Sequence, residues 1–235
     1  MQKSGKKAIL ITGACGEIGK EIAKKFIKNG FDVCGIDIKN TPPEELIINA
    51  NFSFCQVDIS DYNNVSKFFK ENSKRNFCMI VNCAGILKLN NSQETTISDW
   101  KSTLNVNLDG SFNIAKCGTM HFKNKGTAGM VILIGSRWGK TGTEKACAYA
   151  SSKSGLRALV KSLQKENYET GIRFILLSPG SVLTSMSRAV DENIISHILK
   201  PSDIADLILY LSKTPKNIIF DEISIKAYPY DFINA

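Results

Sequence analysis

Tyr149 and Lys153 stand four residues apart in the run Tyr149-Ala150-Ser151-Ser152-Lys153. In a helix over Tyr149–Asn167 they would lie on one face, one turn apart. Leu156, Leu159, Val160 and Leu163 continue that helical spacing. An ammonium beside a phenol favours the phenolate and draws its pKa down from the ordinary value of about 10. Such a pair suits a general acid/base working near neutral pH. The spacing alone fits an exposed helical pair equally well, so its weight depends on the elements that position it.

Those elements alternate. Short apolar runs recur at Ala8–Ile11, Val33–Ile36, Phe52–Val57, Met79–Val81, Met130–Ile134, Phe174–Leu177 and Ile218–Ile225. The first six are mostly continuous, as strands buried on both faces should be. Between them Ile18–Lys28, Val65–Glu71, Trp100–Ala115 and Leu156–Leu163 carry helical spacing, and Ile204, Leu207, Ile208 and Leu211 repeat it behind Pro201-Ser202-Asp203. Strands alternating with helices predict an α/β fold, a single doubly wound parallel sheet with helices on both faces. The 235 residues suit one domain, 1–235, of this kind.

Polar or turn residues follow six of the runs: Thr12-Gly13, Asp37, Asp58, Asn82, Ser136 and Ser178-Pro179-Gly180. Open α/β sheets bind ligands outside the carboxyl ends of their strands, so these residues predict one shared site. Gly13, Gly16 and Gly19 lie between the first strand and the first helix. There they let the backbone turn tightly and approach a pyrophosphate at a helix N-terminus. Asp37 ends the second strand, where a carboxylate accepts the ribose hydroxyls of an adenosine and repels a 2′-phosphate; this favours NAD, with Lys39 leaving room for NADP.

Composition narrows the class. The seven cysteines are scattered singly, and the two histidines, His121 and His197, have no ligand spacing. The cysteines read as reduced thiols in a cytoplasmic protein, the histidines as structural or exposed residues, and no metal site is expected. Met1–Lys7 is polar, and no apolar run approaches a membrane span. The net charge of +8 is spread along the chain without an aromatic-interleaved basic stripe, so no nucleic acid is expected.

With these residues in register the chain resembles the short-chain dehydrogenase/reductase family, short single-domain type, over nearly its whole length. Thr12–Gly19 is similar to the family's glycine motif. Asn82-Cys83-Ala84-Gly85 is similar to its Asn-Asn-Ala-Gly segment, and Ser136 precedes Tyr149 by the family's usual thirteen residues. Pro179-Gly180-Ser181-Val182-Leu183-Thr184 resembles the Pro-Gly-x-x-x-Thr turn that holds the nicotinamide carboxamide.

The resemblance implies a catalytic set of Asn107, Ser136, Tyr149 and Lys153, with Asn107 holding a water that relays protons. It implies a cofactor site of Gly13, Cys15, Gly16, Glu17, Ile18, Gly19, Asp37, Ile38, Asp58, Ile59, Asn82, Ala84, Gly85, Tyr149, Lys153, Pro179, Gly180, Val182 and Thr184. Arg137, Trp138 and Met186 are substrate candidates, and residues 184–200 a lid. The implied activity is NAD(P)-dependent hydride transfer between a carbonyl and a secondary alcohol, in a homodimer or homotetramer.

Two departures from the family pattern stand out, the glycine loop and the tail Asp221–Lys226, which lacks the Gly-Gly often found after the last strand. Glu17 occupies a position where shorter members usually carry glycine, and the spacing 13, 16, 19 is more typical of longer, sugar-nucleotide-modifying members. Only about fifty residues follow Thr184, too few for the separate substrate domain of those members. An epimerase or dehydratase with retained NAD is the second reading. A non-catalytic dinucleotide-sensing or nucleic-acid-binding module is the third.

Overall fold

A computed structural model describes residues 6–188 and 198–228. The strands are β1 (Ala8–Thr12), β2 (Asp32–Asp37), β3 (Phe52–Gln56), β4 (Phe77–Asn82), β5 (Gly129–Ile134), β6 (Ile172–Pro179) and β7 (Glu222–Ile225). They form one seven-stranded sheet of order β3-β2-β1-β4-β5-β6-β7, and every pairing is parallel. The order reverses between β1 and β4, so the crevice above their carboxyl ends is the topological switch point.

The helices are α1 (Glu17–Lys28), α2 (Glu44–Ile47), α3 (Tyr62–Glu71), α4 (Ile97–Leu104), α5 (Gly110–Asn124), α6 (Trp138–Thr141), α7 (Cys147–Glu166), α8 (Ser185–Arg188) and α9 (Pro201–Ser212). Alternate strand residues feed two cores. Leu10, Ile80, Val131, Leu133 and Phe174 pack with Phe68 and Phe69 of α3, Ile114 of α5 and Leu156 and Val160 of α7. Ile9, Ile11, Val81, Ile132 and Ile175 pack with Ile22 and Phe26 of α1 and Ile204 and Ile208 of α9. Each such fully buried side chain contributes about 1.5–3 kcal/mol. Strands buried on both faces explain the continuous apolar runs.

Two elements differ from the sequence expectation. The apolar stretch from Ile218 does not begin a strand: Ile218 and Ile219 are 40% and 51% exposed, and pairing starts only at Glu222 against Leu176. Arg173 Nη1 holds the carbonyls of Pro215 and Ile218, turning that stretch away from the sheet edge. The run Trp100–Ala115 is not one α-helix. A π-helical segment, Asn105–Asp109, separates α4 from α5 and carries Asn107. The short helices α2, α6 and α8 have too few residues to show periodicity.

Candidate active site

The glycine loop is shaped by close approaches. Gly13 has φ +65°, and a Cβ there would lie 2.8 Å from the Ala84 nitrogen. A Cβ on Gly19 would lie 2.3 Å from the Gly13 carbonyl oxygen. The ends of β1 and β4 therefore meet with only backbone between them, and α1 starts at Glu17, next to Gly16. Asp37 is held by two backbone donors, Cys15 N–H to Oδ2 at 3.0 Å and Lys39 N–H to Oδ1 at 3.1 Å. Each oxygen keeps a lone pair for further donors such as ribose hydroxyls. Positive-φ glycine, a helix N-terminus whose cap residue is glycine and a fixed carboxylate at the second strand end fit a dinucleotide.

A buried polar chain joins this loop to α7. Thr12 Oγ1 donates to Asn82 Oδ1, and Asn82 Nδ2 donates to Ser111 Oγ at 2.8 Å. Ser111 Oγ donates to the Asn107 carbonyl at 2.6 Å. The Asn107 side chain grips the Ile86 backbone in both directions, at 2.8 and 2.9 Å, and Nδ2 reaches Ser152 Oγ at 3.1 Å. Ser152 donates to the Tyr149 carbonyl at 2.7 Å. Thr12, Asn82, Asn107, Ser111 and Ser152 are all buried and mutually satisfied, which makes such a network rigid. The extra turn residue of the π segment is what swings Asn107 into it.

Ser111 and Ser152 are the members that motif reading missed. Their only sequence signal is helical register, Ser111 one turn after Asn107 and Ser152 beside Lys153.

Ser136 follows β5, and its side chain is close enough to Tyr149 to draw the phenol's pKa down. The Trp138 backbone N–H donates to Ser136 Oγ at 3.2 Å, and the Trp138 ring meets the Tyr149 ring edge-on at 6.1 Å and 85°. Lys153 Nζ donates to the Ile134 carbonyl at 2.7 Å and lies 5.6 Å from the Tyr149 ring centroid. A Cβ at Gly85 would be 3.2 Å from Asn107 Oδ1 and 3.6 Å from Lys153 Nζ. Asn107 and Lys153 thus meet beside Gly85, Tyr149 lies next to Lys153, and Ser136 acts on Tyr149.

The electrostatics differ from expectation. Burial pushes the Tyr149 phenol above its ordinary value, with the Ser136 hydrogen bond pulling the other way. Lys153 does not lower it in this arrangement, because its ammonium is turned to the Ile134 carbonyl. Burial pushes Lys153 down to about 8, opposed by nearby Cys83.

The remaining expected residues are spread along the same sheet edge. Asp58 accepts from Ser60 N–H and Oγ at 2.9 and 2.7 Å. The Ile59 side chain is buried, and a Cβ on Gly110 would meet it at 2.8 Å, so only its backbone could face a ligand. Ile38 is 62% exposed beyond β2. The Asn82 side chain is committed inward, leaving its backbone for the crevice.

Pro179 accepts from Arg137 N–H at 3.1 Å, and Gly180 donates to Ile225 at 2.7 Å. Val182 is bridged to Leu199. Thr184 is buried, accepts from Ser187 N–H at 3.3 Å and donates to the Val182 carbonyl at 3.2 Å. Met186 lies on α8, partly exposed. His197 and residues 189–197 of the expected lid lie outside the described residues. Among the described residues no helix is long and apolar enough to cross a membrane.

Glu17 has a role that motif spacing did not indicate. Its carboxylate accepts from Ser185 N–H at 2.8 Å and Ser185 Oγ at 3.3 Å. Partial burial works to raise its pKa, but these Ser185 bonds and its own backbone N–H outweigh that and hold it below the ordinary carboxylate value.

Comparison with known proteins agrees with this architecture. The chain is 30% identical over 224 residues to a 3-oxoacyl-[acyl-carrier-protein] reductase of Chlamydia pneumoniae, covering 88% of this chain and 89% of that one. It is 25% identical over 235 residues to a (3R)-3-hydroxyacyl-CoA dehydrogenase of Homo sapiens, covering 89% and 90%. The solved structure of ElxO with NADP bound superposes with a TM-score of 0.83 at 27% identity, over 94% of this chain and 97% of that one. These lengths match the short type despite the variant glycine spacing. The model of the short chain dehydrogenase family matches residues 7–194, and on these grounds the chain is a member of that family.

Proposed function

We propose that the chain interconverts a carbonyl and a secondary alcohol on a small-to-medium substrate, with Tyr149 as general acid/base. The observation that carries this is the grouping of Tyr149 with Lys153 and Ser136, the Lys153 ammonium lying beside Gly85 after β4. When bound, a nicotinamide dinucleotide supplies or accepts the hydride.

The chain's own residues do the rest. Tyr149 gives its phenolic proton to the carbonyl oxygen in reduction and takes it back in oxidation. Ser136 Oγ donates to the same oxygen as negative charge develops there. Trp138 N–H fixes the Ser136 hydroxyl, and the Trp138 ring walls the crevice beside Tyr149. Lys153 is held over the site from the Ile134 carbonyl; an approaching ribose hydroxyl can share its ammonium and bring the charge to bear on Tyr149. Asn107 positions Ile86 and α7 through its side chain, while its carbonyl is bonded to Ser111.

The cofactor would lie over Gly13–Gly19, with its adenosine at Asp37, Ile38, Asp58 and Ile59 and its nicotinamide end toward Thr184. NAD is the preferred form because Asp37 presents a fixed negative charge where a 2′-phosphate would sit. The Chlamydia and human relatives are named for 3-oxoacyl-[acyl-carrier-protein] and (3R)-3-hydroxyacyl-CoA, which makes a 3-oxoacyl thioester the first substrate to try. Exposed Trp100, Phe112 and Met120 on α4 and α5 support association into a homodimer or homotetramer. Seven free cysteines support a reducing compartment such as the cytoplasm. We read the whole chain, 1–235, as one catalytic domain.

The test is a fluorescence titration with NADH and NADPH, followed by turnover assays with the Tyr149→Phe variant. Tighter NADH binding that Asp37→Ala weakens or reverses, with turnover lost in Tyr149→Phe, supports the reading. Full turnover without the phenol refutes the assignment of Tyr149.

A further inference from the structure

Arg157 lies on α7 one turn after Lys153, at the far side of that residue from Tyr149 along the helix. Its guanidinium makes three bonds: Nε to Glu222 Oε2 at 2.8 Å, Nη2 to Glu222 Oε1 at 2.7 Å, and Nη1 to the Gly139 carbonyl at 2.9 Å. Glu222 is the first residue of β7, and its Oε1 also accepts from Ser178 Oγ of β6 at 3.0 Å. Both charged side chains are sheltered, 21% and 25% exposed. A bidentate pair in such a place is stronger and more directional than a surface ion pair. The contact itself raises the Arg157 pKa and lowers that of Glu222, to which Lys140 on α6 adds a favourable charge.

The third bond ends on α6, a helix of four residues that closes at Gly142 with φ +70°. One helical turn has little stability of its own. Yet α6 sits hard against α7, since a Cβ on Gly139 would lie 2.7 Å from the Lys153 carbonyl carbon. It also carries Trp138, whose N–H orients Ser136 Oγ and whose ring lies against Tyr149.

We infer that Arg157, anchored by Glu222, is a positioning residue for the reaction: it holds the α6 turn so that Trp138 and Ser136 are correctly placed on Tyr149. This rests on reading Tyr149 as the acid/base group. Lysine cannot replace the guanidinium, because a single ammonium cannot serve a bidentate carboxylate and a carbonyl in fixed directions. A purely architectural pair would staple β7 to α7 and leave the Trp138 environment alone.

The experiment uses the full chain carrying Trp100→Phe, which makes Trp138 the sole tryptophan of the two in the sequence. Arg157→Lys and Glu222→Gln are placed in that background, and melting curves confirm that each is folded at the assay temperature. Acrylamide quenching of Trp138 is read first. We expect the quenching constant to rise at least twofold in both variants. With a 3-oxoacyl thioester as probe and the reduced dinucleotide that binds more tightly, kcat should fall about tenfold while KM moves less. The double variant should be no worse than either single one.

Folded variants with unchanged Trp138 quenching and a lowered melting temperature would overturn the inference and leave β7 stapling as the role of the pair. The quenching arm decides this even where the thioester is not turned over. Retained turnover in Tyr149→Phe would instead overturn the acid/base reading without touching the quenching result.

Discussion

Glu17 and Ser185, 168 residues apart, are bonded through two donors of Ser185 to one carboxylate, at 2.8 and 3.3 Å. The contact ties the glycine loop to the start of α8, directly after Thr184. It also holds a negative charge at the α1 N-terminus, where the pyrophosphate of a dinucleotide would be attracted. Removing that charge should strengthen cofactor binding. Glu17→Gln is expected to lower the dinucleotide Kd about tenfold, ~1.4 kcal/mol, with a smaller gain at high salt. Titrations at two ionic strengths check this; weaker binding in the variant would mean that the Ser185 contact matters more than the repulsion.

Burying Lys153 costs the fold stability. Burial holds its pKa near 8 against an ordinary 10.5, so the folded state resists the charged form. Between pH 8 and 10.5 the unfolded chain binds more protons, and stability rises with pH across that window. Below pH 8 the full cost applies, on the order of 3 kcal/mol. Lys153→Met should therefore unfold at higher denaturant than wild type at pH 7, with the gap closing as pH approaches 10.5. The same variant should lose turnover. A Lys153→Met variant less stable than wild type at pH 7 would contradict the assignment.

The free enzyme's activity should follow the same group. As pH rises through about 8, Lys153 loses its proton and with it the charge that an approaching ribose hydroxyl would bring to bear on Tyr149. The pH profile of kcat/KM for reduction is expected to break downward near that value. A profile flat from pH 7 to 9.5 would exclude Lys153 as the controlling group.

His121 gives a second pH signature far from the crevice. It is buried among Phe69, Phe77 and Phe122, with ring centroids 5.3 to 6.0 Å away, and its Nε2 has no partner. Burial lowers its pKa below 6.5, Lys125 adds to this, and a hydrogen bond with the Arg75 backbone opposes it. Stability from this site is complete above about pH 6.5 and declines as the pH falls from there toward the folded pKa. His121→Phe should flatten the loss in melting temperature between pH 7 and 5; an unchanged slope would sink the idea.

Much of this was legible in the sequence. Continuous apolar strands alternating with amphipathic helices determined the doubly wound sheet, because a parallel strand buried on both faces has no polar side to show. Polar residues at the strand ends determined where the site lies, since topology sends every such end to one edge. The Tyr149–Lys153 spacing determined that both groups share a helix face.

Tertiary structure decided what those groups experience. Lys153 is turned to Ile134 and Tyr149 is shifted upward by burial, and neither follows from a spacing of four. Glu17 meets Ser185 across 168 residues and Arg157 meets Glu222 across 65, pairings that no local pattern encodes. The π turn carries Asn107 into a network with Ser111 and Ser152 that runs on to Asn82 and Thr12, partners far from it in sequence. Ile218 and Ile219 read as strand but turn outward, because Arg173 claims the carbonyls beside them. Local periodicity records which side of an element is buried; the partner found there is fixed only when distant elements pack.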